Sequence, residues 1–405
     1  MASQRRCKIA DLASSSAGSI AIGPFGSALK AELYTESGVP VLRGQDIGVG
    51  KHPQRSGTFV APETARRLAR SLVREGDLVF PHRGAIGEVG LIGDDEFLLS
   101  SSMMKLTVDR SKAEPAFLMY YFRGPGRREL MMRASTVGTP GIAQPLASLR
   151  EIDLALPSLG EQRAIAEVLG ALDDKIAANT KLAATADALA MSLFVRSLGS
   201  ETREYEISEV ADLVTRGITP SYVDGGSDAT MVLGQRCVRG QRVDLGPARW
   251  TDPARVKSEK LLSPGDVLIN STGMGSLGRV GRWTYAREAT VDSHVTLVRF
   301  NDAVVNTTFA GFALLRLERE IEVLAEGSTG QTELPRGSLA RMKICVPSNE
   351  NALPLAETLD ALVAMAEQVR NEKQALAATR DALLPQLMSG KLTVHAAEAI
   401  AEELA

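Results

Sequence analysis

From Ser158 to about Leu198, apolar side chains recur at steps of three and four: Ile165, Leu169, Leu172, Ile176, then Asn179, Leu182, Ala186, Leu189 and Leu193. Glu167, Asp173, Asp174, Lys175, Lys181 and Asp187 fall off that stripe, so the pattern predicts an amphipathic helix with one narrow seam and a solvated face. Ser158 and Glu161 have capping-box spacing, which sets the predicted start, and Gly199 suits the end. About 38 residues at ~1.5 Å each make a rod of roughly 57 Å, longer than the usual helix of a compact domain. A second stripe, Leu355, Leu359, Leu362, Ala366, Val369, Leu376 and Leu383, runs towards Pro385 and Gly390, with Lys373 and Arg380 near it. Each seam alone would expose apolar surface, which predicts an antiparallel two-helix coiled coil.

The segments before each stripe resemble one another at an offset of about 190 residues. Pro40 to Gln45 falls on Met231 to Arg236, Glu75 to Val79 on Pro264 to Leu268, and Arg83 to Gly87 on Gly273 to Gly278. Ser135 to Pro140 falls on Ser328 to Thr332, and Ile152 to Pro157 on Ile344 to Pro347. A shared offset from strand to helix predicts a duplication, globular, helix, globular, helix. Short strands are predicted at Asp77 to Phe80, Val89 to Ile92, Met104 to Val108, Val267 to Ile269 and Val295 to Phe300. Helices are predicted at Glu114 to Phe122 and Thr307 to Arg319. The fold class is therefore α+β: two mixed α/β domains and two long helices, without the βαβ alternation of a nucleotide-binding sheet. The predicted divisions are 1–156, 157–200, 201–347, 348–392 and a tail, 393–405.

Composition adds limits. The 44% apolar content is that of a globular protein, and no continuous apolar run approaches the ~18 residues of a spanning helix, so a cytoplasmic protein with no membrane partner is expected. Cys7, Cys237 and Cys345 are odd in number and far apart, which predicts reduced thiols and no metal site. The net charge of −3 argues against nucleic acid until its distribution is seen. Residues 1–156 carry 20 Lys and Arg against 16 Asp and Glu, whereas residues 348–405 carry 4 against 9, so the acidity sits mostly at the C-terminal end. The globular segments permit contact with DNA.

Catalytic motifs are sparse. Gly273 to Gly278 spells G-x-G-x-x-G, but Arg279 to Trp283 reads as a strand where a dinucleotide site needs a helix N-terminus, so a hairpin turn is predicted. No phosphate-cradling GxxxxGK[ST] loop and no Asn-Pro-Pro-aromatic motif occur. His52, His82, His294 and His395 are too dispersed to make a helical pair. Asp292-Ser293-His294 reads as strand residues facing opposite ways. What remains are loops rich in Arg, Gln, Ser, Thr and Gly, types that suit base edges and phosphates. The DNA-contact candidates are Ser27, Lys30, Arg43, Gln45, Arg83 and Thr139 in the first half. In the second half they are Tyr222, Gln235, Arg236, Arg239, Thr272, His294 and Gln331.

These features together resemble the specificity subunit of type I restriction-modification systems. The resemblance rests on Gly23 to Lys30 with Tyr34, Gly38 to Arg43, Arg83-Gly84, and Leu156 to Gln162 opening the first helix. In the second half it rests on Gly217 to Tyr222, Asp292 to Val295, Gly327 to Gln331 and Leu387 to Leu392. It implies two target-recognition domains, each reading one half of an interrupted double-stranded DNA sequence, spaced by the two helices. It implies docking of two modification (adenine methyltransferase) subunits and of restriction subunits, with S-adenosylmethionine, ATP and Mg on those partners and no cofactor or active site in this chain. Glu161, Gln162 and Arg163 are the candidate docking residues; Asn351-Ala352-Leu353 stands at the corresponding place in the second helix. With the rod of roughly 57 Å, half-site centres about 10 to 17 base pairs apart are expected. Two rival readings remain, a coiled-coil scaffold whose heads bind protein and an enzyme with an unrecognised site. A 4% aromatic content fits groove reading better than stacking on single strands.

Overall fold

The computed structural model describes residues 5–402 apart from 49, 56, 136, 137, 200, 227, 327–331 and 349–352. It forms two compact units, residues 1–181 with 369–405, and residues 182–368. Each long helix contributes to both.

The first long helix spans Leu159–Ser197. Ser158 Oγ accepts from the Glu161 N–H at 3.3 Å, the cap that the spacing predicted. The second spans Leu353–Met388 and runs three residues past Pro385. Gly390 adopts φ +69°, its N–H donates to Leu387 O, and the Lys391 N–H donates to Gln386 O at 3.0 Å. Those two bonds are a Schellman cap, closing the last turn through a left-handed residue.

Within the first unit the helices run antiparallel, with Asp173 meeting Arg380 and Lys175 meeting Glu372. Their seam, Ile165, Leu169, Leu172, Leu376, Leu383 and Leu387, joins a core that also takes in Phe80, Phe117, Leu118, Tyr120 and Phe122. Within the second unit Ala190 and Phe194 share a core with Phe309, Phe312, Ala356 and Leu359, and Phe194 stacks on Phe312 at 5.7 Å.

Three expectations change here. Leu182 and Leu189 are exposed and Ala183 and Ala190 are buried in their place, while Ala186 is buried as expected. The heptad of Ile165, Leu169, Leu172 and Ile176 continues through Asn179, Ala183, Ala186 and Ala190; the stripe left it where a leucine stands one position before a small alanine. Asp173 is not on a solvated face; its side chain is 2% exposed. Tyr120 Oη and Arg123 Nη1 donate to its Oδ2, both at 2.9 Å, and Arg380 Nη1 donates to Oδ1 at 2.6 Å. Burial, and then the Asp173 carboxylate, push the Tyr120 phenol far above its ordinary range. Finally, residues 393–405 are not merely a tail. Val394–Glu402 is a helix whose Ala397 is fully buried in the first unit's core.

The duplication is visible element by element. Val39–Leu42 pairs in parallel with Phe97–Leu99, and Thr230–Leu233 pairs in parallel with Ala289–Val291. Leu78–Pro81 lies antiparallel to Met103–Leu106, as Val267–Asn270 does to Val295–Phe300. Helix Pro115–Arg123 answers to Thr307–Arg316. The terminal strand pairs Arg5–Lys8 with Asp153–Leu156 and Thr202–Glu206 with Lys343–Pro347 close the two copies. Leu78–Pro81 is a buried run of four that gives way, after His82 and Arg83, to a turn at Gly84, whose φ is +80°. All three cysteines are free thiols. No helix among the described residues is long and apolar enough to cross a membrane.

Candidate nucleic-acid interface

In each unit, loops at the ends of equivalent strands converge. In the first, Val39–Leu42 delivers the turn Gly44–Asp46, held by Asp46 Oδ2 accepting from the Arg43 N–H at 2.7 Å. Leu78–Pro81 delivers His82-Arg83-Gly84. The two turns abut: a Cβ on Gly44 would lie 3.5 Å from Pro81 and 3.9 Å from Ala85. The Gly84 N–H donates to Pro140 O and the Ile142 N–H to His82 O, each at 3.0 Å, which seats segment 139–142 beside Arg83. Phe25, 54% exposed, lines a cleft with Arg83, Ile142 and Gln144. The loop behind it is clamped at Gly23, where a Cβ would stand 1.8 Å from Ser100 O, so only glycine fits.

Arg43, Gln45, Arg83 and Thr139 are thus brought together. Arg43 is half-buried and the other three are exposed. Lys30 is exposed on the neighbouring turn, with no contact to this cluster among the described residues. The Ser27 side chain lies outside the described residues. His82, beneath the cluster, donates through Nε2 to Ser101 O at 3.0 Å, while Nδ1 is buried without a hydrogen-bond partner. Burial lowers its pKa below the ordinary histidine value.

In the second unit Gln235 follows Thr230–Leu233, Thr272 follows Val267–Asn270, and His294 closes a turn between Ala289–Val291 and Val295–Phe300. They form one chain: Gln235 Nε2 donates to Thr272 O at 2.6 Å and also to Thr272 Oγ1, and Thr272 Oγ1 meets His294 Nδ1 at 2.8 Å. The amide nitrogen of Gln235 is therefore engaged inside the protein. That corrects the expectation of a free adenine reader, because bidentate reading needs the NH2 group as well as the carbonyl. Asp292-Ser293-His294 is likewise a tight turn and not a strand, with Asp292 Oδ1 accepting from the His294 N–H at 2.9 Å. Burial raises the Asp292 carboxyl above the usual range. The Gly273–Gly278 segment is the expected hairpin turn between antiparallel Val267–Asn270 and Val280–Arg282.

Arg236 and Arg239 are exposed on the flank of this chain. Tyr222 sits apart, on the edge strand Tyr222–Val223, with its ring under the guanidinium of Arg249. Gln331 lies outside the described residues. Two residues escaped the sequence reading. Met274, 83% exposed, tops the hairpin between two glycines of positive φ. Arg249 has no motif around it; only its strand's pairing with Tyr222–Val223 reveals it.

Of the docking candidates, Gln162 is corrected. It is 1% exposed; its Oε1 accepts from the Glu114 N–H and its Nε2 donates to Pro157 O, both at 2.9 Å. It is a clamp inside the first unit, its amide consumed by backbone groups that burial would otherwise leave unpaired. Arg163 is exposed, with Glu114 at 3.7 Å, and Glu161 is half-buried. Among the described residues no cluster of His, Cys, Asp and Glu could hold a metal ion.

Comparison with known proteins points one way. Residues 28–186 match the family profile described as type I restriction modification DNA specificity domain. A protein of Methanocaldococcus jannaschii described provisionally as the specificity subunit of type I restriction enzyme MjaX is 22% identical over 387 residues, 88% of each chain. The type I restriction enzyme MjaVIII specificity subunit of the same organism is 23% identical, over 89% of this chain and 91% of its own. In fold, the chain is similar to the crystal structure of a type I restriction-modification S subunit from M. genitalium, with TM-score 0.67 and 17% identity across 95% of this chain and 96% of that one.

Proposed function

We infer that this chain belongs to the specificity subunits of type I restriction-modification systems and is the non-catalytic part of such a complex that reads DNA sequence. One observation carries the reading. The same fold is built twice, and each copy ends equivalent strands in an exposed loop cluster while packing on the same pair of long helices. Two reading heads on one chain suit an asymmetric, interrupted target, with segments 1–156 and 201–347 as the two recognition domains. The 39-residue first helix is the spacer. The partners are duplex DNA, two modification subunits docked at the helices near Glu161 and Arg163, and restriction subunits, in the cytoplasm. S-adenosylmethionine, ATP and Mg belong to those partners.

The test is a single-molecule methylome of cells expressing this chain with and without its modification subunit. A new methyladenine motif of half-site, fixed gap and half-site, present only with both, is the expected result. Co-purification of the two proteins with no motif would leave a scaffold, and binding that does not weaken with salt would exclude phosphate contacts. Inserting four residues into the first helix, ~6 Å of rise, should widen the gap by about two base pairs and leave both half-sites unchanged. An unchanged gap would refute the spacer role.

A further inference from the structure

Both recognition domains hold an arginine flat against a tyrosine at the same place in the repeat. Tyr34 lies on the edge strand Tyr34–Thr35, and Tyr222 on the edge strand Tyr222–Val223 of the corresponding sheet. The guanidinium of Arg43 lies 5.6 Å from the Tyr34 ring centre and that of Arg249 lies 3.6 Å from the Tyr222 ring centre.

The two arginines come from different strands. Arg43 follows Val39–Leu42, and its counterpart in the repeat is Gly234. A side chain there would have to displace the Asp292 carboxylate, since a Cβ on Gly234 would stand 2.7 Å from Asp292 Oδ2. Arg249 reaches the second tyrosine from the adjoining strand Arg249–Thr251. The shelf is retained and the arginine is supplied by another route.

Some surface arginines are neutralised by carboxylates, as Arg74 is by Glu96, Arg127 by Glu88 and Arg216 by Glu333. Arg43 and Arg249 lean on rings instead, and among the described residues neither forms an ion pair. The Asp292 carboxyl senses the charge of Arg249, but it is buried and already accepts from His294. Arg249 Nη2 donates to the Tyr222 hydroxyl, which fixes the plane of the guanidinium and leaves its other N–H groups free. A cationic fork that is exposed, planar and held in one orientation matches an edge bearing two adjacent acceptors. On duplex DNA that edge is guanine O6 and N7 in the major groove.

We propose that Arg249, shelved on Tyr222, reads a guanine in the second half-site, and that Tyr222 is its positioning residue. The proposal rests on the DNA-reading role inferred above. The test uses the full chain with its modification subunits, on duplexes carrying the methylome-defined motif. Each guanine of the second half-site is replaced in turn by 7-deazaguanine, which keeps base pairing and removes the N7 acceptor. Wild-type protein should lose roughly tenfold in affinity at one guanine. Arg249→Ala and Arg249→Lys should bind more weakly and be indifferent to that substitution. Tyr222→Phe should keep most of the sensitivity and Tyr222→Ala should lose it, with thermal unfolding confirming that each variant is folded.

Three results would overturn the proposal: a second half-site without guanine, no guanine sensitive in the wild type, or the same deazaguanine sensitivity in Arg249→Ala. Uniform weakening of Arg249→Ala on all sequences, with a shallower salt dependence, would make Arg249 a phosphate contact and also overturn it. Absence of specific, salt-dependent binding by the wild type would instead refute the DNA-reading role itself.

Discussion

Replacing Asp173 by alanine should cause the largest loss of stability of any single change to the helix pair. The Asp173 side chain is 2% exposed and takes bonds from Tyr120, Arg123 and Arg380, and the two arginine side chains are themselves 17% and 12% exposed. Removing it leaves, among the described residues, Arg123 without a carboxylate and Arg380 with Asp381 alone, and little water reaches either. Breaking a buried pair from one side costs about 3–5 kcal/mol. For a unit of this size each kcal/mol moves the midpoint by about 2–4 °C, so a fall of roughly 6–20 °C is expected. Calorimetry and far-ultraviolet circular dichroism of the full chain would measure it. Both tryptophans, Trp250 and Trp283, lie in the second unit, so their fluorescence follows that unit specifically. A double variant, Asp173→Ala with Arg380→Met, should recover part of the loss because one stranded charge is removed. A midpoint within about 2 °C of wild type, or no recovery in the double variant, would show that water reaches the site and that the network is not a buried one.

Three further outcomes follow from the geometry. Gly217→Ala places a Cβ 2.0 Å from Val291 O, a backbone clash that should cost about 3 kcal/mol or more in urea unfolding; an unchanged midpoint would mean that the loop moves freely. Gln162→Leu should destabilise the first unit by about 1–3 kcal/mol through the unpaired Glu114 N–H, while co-purification with the modification subunit at low temperature is unaffected; lost co-purification from a folded variant would restore Gln162 as a docking residue. His82 has a lowered pKa when folded, so below its ordinary value near 6.5 the unfolded chain binds the extra proton and stability falls with pH. Wild type should therefore lose more stability between pH 7.5 and 5.5 than His82→Gln does, and equal losses would refute this.

The helices and the duplication were legible because each rests on local pattern. Strand endings such as Leu42-Arg43-Gly44 and the Gly273–Gly278 turn carry their geometry in their own glycines, and the Ser158 cap is a matter of spacing. What was not legible depends on partners distant in sequence. Asp173 looks like a surface acid until Arg380, 207 residues away, is placed beside it. Arg249 becomes a candidate only when its strand pairs with Tyr222, and Gln162 changes role once Glu114 is found opposite. The seam at Leu182 and Leu189 failed for a subtler reason, since the heptad places small alanines, Ala183 and Ala190, on the buried row and the more apolar leucines stand one position before them.

The buried Ala397 bears on how the protein is made. The first unit needs residues from both ends of the chain, because its core includes Leu376, Leu383 and Ala397 as well as Phe80 and Phe122. During synthesis residues 369–402 leave the ribosome after the whole of residues 182–368, so the core begun by the segment before residue 182 is completed only after the second unit has emerged. A nascent chain must hold the apolar faces of Leu169 and Leu172 unsatisfied through the translation of an entire second unit, at ~5–20 residues per second a wait of about 10–40 seconds. Premature termination anywhere before the second helix would release a fragment whose first core is open along one side.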